Sequence, residues 1–171
     1  MYITETTENV RNLWKQLELQ DDLSKLKFLI YIFGLLNNNQ INDKNEANPN
    51  LIEDEKIKIF NLEMIGLSSN TCTTLLQYFT MLYNNIINTN NAYEDNGNVI
   101  GIIYNNNDIK IISLFEQLDF NEKLDVFSEI FIRYDNETFL KENVIVLSVT
   151  EYNGFDLAKQ IQNLKKYYTL L

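Results

Sequence analysis

The chain contains no histidine. That removes the commonest general acid/base, the Ser-His-Asp and Cys-His arrangements, and the imidazole ligands that most zinc sites use. Cysteine occurs once, as Cys72, so no disulfide can close within the chain. A single thiol fits a reducing compartment such as cytosol or stroma. Proline occurs once, as Pro49, and the five glycines stand apart at Gly34, Gly66, Gly97, Gly101 and Gly154. No Gly-rich phosphate loop can be built from them. Arginine is confined to Arg11 and Arg133, and alanine to Ala47, Ala92 and Ala158. The scarce residues have GC-rich codons, while the abundant Asn, Ile, Lys and Tyr have AT-rich ones. This points to an AT-rich genome such as that of a plastid, a symbiont, certain protists or certain large viruses. Long apolar runs are also missing. The longest, FLIYIFGLL at 28–36, falls well short of the ~20 residues that span a bilayer. Residues 1–10 lack a basic and an apolar signal region, so any membrane association is expected to be peripheral.

What is present suffices for a core. The chain has 171 residues, 45% of them hydrophobic, which suits one helical domain over 1–171 without disulfides or metals. The formal net charge of −10 repels nucleic-acid phosphate and anionic membrane surfaces. Lys165, Lys166, Tyr167 and Tyr168 form one small basic and aromatic cluster, which reads as a solvated helix end. The acids do not converge. Glu53, Asp54 and Glu55 are adjacent and point to different sides of a helix. Asp43/Glu46 and Glu94/Asp95 lie in Asn-rich loops without the spacing of a calcium loop. Cys72 sits near a helix start with no base to activate it, and reads as a packed thiol.

Periodicity predicts helices. Thr6 or Thr7 caps a first one, with Val10, Leu13, Trp14 and Leu17 on one face. Asp21 starts a second, apolar nearly all round, which reads as a buried central helix. Gly34 within it suggests close packing or a nearby helix end. A polar loop covers 37–51, and helical spacing returns with Ile52, Ile59, Phe60 and Leu62. Ser68 caps a strong helix carrying Leu75, Leu76, Phe79, Leu82, Tyr83 and Ile86. Asp108, Asn121 and Asp156 are expected to cap three more. The fold class is all-α, with at most a minor strand pair from 99–104 and 144–149.

Two segments match at a constant offset of 101 residues: LWKQLELQDDLSKLKF from Leu13 and LFEQLDFNEKLDVFSE from Leu114. Leu13/Leu114, Gln16/Gln117, Leu17/Leu118 and Leu23/Leu124 are identical. This reads as two pseudo-repeated helical hairpins, with Leu19 or Phe120 tucked back as a hydrophobic staple. The competing reading is that any two amphipathic helix–turn–helix units look alike.

The segments WKQLELQDDLSKLKFLIYIFG (14–34) and FEQLDFNEKLDVFSEIFIRYD (115–135), with Ser68-Ser69-Asn70 between them, resemble the N-terminal domain of the orange carotenoid protein and the helical carotenoid proteins. The resemblance implies an interleaved helical bundle, a carotenoid held between aromatic rings, and docking on phycobilisomes. The matching positions depart from the family. Lys27 and Ile30 stand where it has a Trp and a Tyr, Leu76 where it has another Trp, and Ser128 where it has an Arg. Tyr31, Phe33, Tyr78 and Phe79 are the substitute ring faces for a carotenoid; on helices this apolar they also read as core. The expectation is a non-catalytic binding protein of a photosynthetic antenna or photosystem assembly, in the plastid stroma or on the thylakoid surface. The alternative is a viral or protist interaction protein, cytoplasmic, that takes a partner helix in an apolar groove along 23–36.

Overall fold

The computed structural model of the protein describes residues 6–42, 58–90, 102–135, 140 and 154–169. Six α-helices follow in order: α1 (Glu8–Glu18), α2 (Asp22–Asn37), α3 (Ser69–Asn90), α4 (Asn106–Glu116), α5 (Phe120–Asp135) and α6 (Gly154–Thr169). A short 3₁₀ turn, Leu62–Ile65, precedes α3. The fold is all-α. Among the described residues the one departure is an isolated antiparallel bridge between Asn42 and Ile59. Ile59 and Phe60 therefore lie in extended chain rather than on the expected helix. Ile102 to Tyr104 form no strand, while 99–101 and 144–149, like Ile52, lie outside the described residues.

Local chemistry sets the helix starts. Thr7 accepts from the Val10 N–H, Asp21 from Ser24, and Ser68 from Thr71, as their types predict. Three expected caps fall elsewhere. Asn105, not Asp108, caps α4, and Asp108 completes the capping box from inside the first turn. Asp119, not Asn121, caps α5. The Glu122 N–H donates to it at 2.8 Å, and the Glu122 carboxylate accepts from the Asp119 N–H at 3.0 Å. Asn121 is instead left with its amide oxygen buried and unbonded. Helix α6 begins at Gly154, which puts Asp156 within its first turn.

The pairs α1–α2 and α4–α5 correspond in length and connection. Each has an 11-residue helix and a 16-residue helix. Three residues join them, at 19–21 and 117–119. Every boundary recurs after 98 residues. Burial follows the same offset. Val10, Leu13, Trp14 and Leu17 are buried on α1, and Asp108, Ile111, Ile112 and Phe115 on α4. The 101-residue alignment is thus not the one the helices adopt. A slip of three residues keeps a helical position on nearly the same face, so matching letters survive it.

Nor do α1 and α2, or α4 and α5, fold back on each other as the expected hairpins. Helix α2 packs chiefly on α3, and α5 on α6. Helix α1 reaches across to α4 and α5, and α4 reaches back to α2. The two halves thus each pack chiefly on themselves and meet along these lesser seams around one continuous core. Its centre is Phe33, whose ring lies edge-on to Phe79, Phe127 and Phe131 at 5.3, 5.5 and 6.1 Å between centroids. Such contacts add to the area each ring buries. Gly34 is not a close approach: a Cβ there would meet nothing within 4 Å, and α2 continues to Asn37. Of the two proposed staples, Phe120 is buried beside Tyr168, with centroids 5.6 Å apart, whereas Leu19 is 70% exposed.

Candidate functional site

By the ring contacts among the described residues, the four candidate ring residues fall into two groups. Phe33 and Phe79 are fully buried and pack on each other in the core. Tyr78 is half-buried beside Phe79 at 6.2 Å. Tyr31 belongs to a different group. Its ring meets Tyr104 at 6.4 Å and 80°. Burial, then the Glu116 charge, push the Tyr31 phenol above its usual range. Burial, then the Asp108 charge, raise Tyr104 likewise.

Two of the four positions where the chain departs from the carotenoid-protein pattern, Lys27 and Ser128, are occupied by polar ties. Lys27 Nζ donates to Asp108 Oδ2 at 2.7 Å, with side chains 8% and 2% exposed. The same carboxylate oxygen accepts from the Asn105 N–H at 2.9 Å. One buried acid thus both starts α4 and neutralises a lysine from α2. Ser128 is buried on α5. Its hydroxyl donates to the Ala158 carbonyl at 3.5 Å and accepts from Gln162 at 3.0 Å. Beside it, Asp125 accepts from Gln162 and from Lys165 Nζ, both at 2.9 Å, which ties α5 to α6. Glu122 accepts from the Thr7 hydroxyl and so joins α5 to the start of α1. Ile30 and Leu76 are half-buried against the core.

Sequence reasoning missed these ties, although a lysine inside so apolar a helix was a usable signal. A buried ammonium needs an acid, and only tertiary structure says which one. The basic and aromatic cluster near the C-terminus also divides. Lys165 pairs with Asp125, and the Tyr168 hydroxyl donates to the Ile59 carbonyl at 2.9 Å; Lys166 and Tyr167 remain exposed.

Cys72 is buried at the start of α3, with its thiol 3.7 Å from the Phe33 carbonyl oxygen. Burial pushes its pKa up to about 11, so the nucleophilic thiolate is suppressed at neutral pH. It borders a cleft of about 210 Å³ between the end of α2, the 3₁₀ turn and α3, with Asn37, Asn39, Asn61, Glu63 and Ser69 also on its wall. Among the described residues no three acids or thiols gather to hold a metal, and no helix is long and apolar enough to cross a membrane. Asp43, Glu46, 53–55, Glu94 and Asp95 lie outside the described residues. Helix α2, the expected groove helix, is covered by α3 and α4, with Leu26, Phe28, Leu29, Ile32 and Phe33 buried. Comparison of the chain with protein-family models, with curated proteins and with solved structures finds no match.

Proposed function

We propose that this chain is a non-catalytic helical docking protein whose partner is another protein. The observation that carries this reading is how its buried charges are used. Lys27, Asp108, Asp125 and Glu122 are committed to caps and cross-helix ties, and neither Asp22 nor Lys25 is without a partner. A catalytic acid or base has to be poised toward a substrate at a matched pKa. These groups are instead spent on fixing helices relative to one another. The one thiol is buried and held above the range of a nucleophile. Exposed apolar side chains such as Ile103, Ile109 and Met81 supply material for contact with a protein surface.

A photosynthetic antenna or photosystem assembly is the partner that the family likeness implies. The all-α architecture is compatible with that likeness, and architecture alone does not assign a function. The Lys27–Asp108 pair, at the place of a pigment-holding ring, supports docking without pigment. The test has two arms. Protein isolated from its native host is expected to show no visible absorption band, and a bound carotenoid would overturn the pigment-free reading. Capture from host extract is expected to retain antenna or photosystem subunits. Retention of other proteins would reassign the partner, and retention of none would sink the docking reading.

A further inference from the structure

Glu18 closes α1 and Glu116 closes α4, the same place in the two helix pairs. Around Glu18 the chain supplies its own cation. Arg133 Nη2 lies 2.8 Å from the Glu18 carboxylate, and its guanidinium carbon stands 4.3 Å from the centre of the Trp14 ring. Its Nε reaches Glu129 at 3.3 Å. A planar cation on an aromatic face, forked to a carboxylate at a helix end, is a favoured arginine environment.

Around Glu116 the acid and the rings are present, and no cation joins them among the described residues. The α2 position 98 residues before Arg133 is Leu35. Among the described residues no lysine or arginine pairs with Glu116. Its charge acts on the Tyr31 phenol, and the Tyr31 ring stands nearly perpendicular to that of Tyr104. Both rings are half-buried and Glu116 is exposed, so acid and rings meet solvent together.

We propose that Glu116, Tyr31 and Tyr104 seat an arginine side chain presented by a protein partner, supplying from outside what Arg133 supplies from within at Glu18. The seat rests on the docking reading and gives it a chemistry. Arginine fits better than lysine because its flat guanidinium can lie on one ring while its N–H fork meets the carboxylate. The net charge of −10 favours a basic partner surface and speeds encounter with it.

The test titrates N-acetyl-argininamide into the full chain at constant ionic strength, following the ring protons of Tyr31 and Tyr104 by NMR. Saturable shifts confined to those two rings, with an affinity on the order of millimolar and weaker for N-acetyl-lysinamide, are expected. Glu116→Gln on the exposed helix end should weaken binding roughly three- to tenfold, while Glu18→Gln leaves it unchanged. Tyr104→Leu should abolish the Tyr31 shift with helix content retained. Shifts that fail to saturate, spread over the other tyrosines or keep the same affinity in Glu116→Gln would overturn the proposal. The small probe needs no partner, so loss of the seat and loss of partner capture are read separately.

Discussion

Lys27 on α2 and Asp125 on α5 occupy the same place in the two corresponding helices, yet they carry opposite charge. Lys27 reaches into the other half, to Asp108 on α4, and both side chains are almost wholly buried. Asp125 stays within its own half and meets Lys165 of α6, which is 25% exposed. The seams differ in the same spirit. At α2 and α3 a thiol, Cys72, lies against the Phe33 carbonyl; at α5 and α6 a hydroxyl, Ser128, donates to the Ala158 carbonyl. Two units of matching length can therefore be held by quite different chemistry. Backbone periodicity fixes the frame, and a few buried polar groups decide how each half is joined.

The largest expected effect comes from cutting the tie between halves. Asp108→Ala strands the Lys27 ammonium in the core and removes half of the α4 capping box, and should cost about 3–5 kcal/mol. Asp125→Ala should cost visibly less, because Lys165 can turn to water. Urea unfolding of both variants measures the difference; equal losses would erase the contrast. Replacing Lys27 and Asp108 together by apolar residues should recover most of the loss.

Next in size is an alkaline effect specific to the first seam. Folding raises the Cys72 pKa from its ordinary 9.0 to about 11. Above pH 9 the unfolded chain loses this proton while the folded chain keeps it. Stability is therefore whole below pH 9 and falls as pH climbs to about 11, by on the order of 2 kcal/mol. Tyr31 and Tyr104, also raised, add to the fall above pH 10, their ordinary value. Unfolding curves at about pH 8 and about pH 11 for the native chain and Cys72→Ala isolate the thiol's share. An unchanged slope in Cys72→Ala would mean that the thiol contributes nothing.

Two smaller effects follow. Asn105→Ala should cost about 1 kcal/mol. Asn121→Ala, at the cap that sequence alone suggested, should not be destabilising, since the Asn121 amide oxygen is buried and unbonded. Thermal melts would rank the two. Gly34→Ala should stabilise the chain by roughly 0.5–1 kcal/mol, because the new methyl group meets no neighbour, and the corresponding place on α5 already holds Ile132. A lower melting temperature would show that the space around α2 is not open.

These cases mark what could be read from sequence. The faces of α1 and α2, and the caps Thr7, Asp21 and Ser68, depend on neighbours within one turn, and the pattern exposes them. Asn105 to Asp108 are four consecutive residues that can all cap a helix. The choice among them is made 81 residues away, by Lys27 taking hold of Asp108. The 98-residue correspondence was hidden because leucines three apart lie on nearly one face, so a false register keeps its letters. Of the proposed ring site, Phe33 and Phe79 sit in the core. Tyr31 found Tyr104 and Glu116, which lie far along the chain and share no motif with it.

The shared oxygen of Asp108 joins a local bond to a distant one. Its bond to the Asn105 N–H spans three residues and its bond to Lys27 spans 81, so the same atom fixes where α4 begins and where α2 lies against it. A change of charge at this one position is thereby felt both in the start of a helix and in the docking of its neighbour.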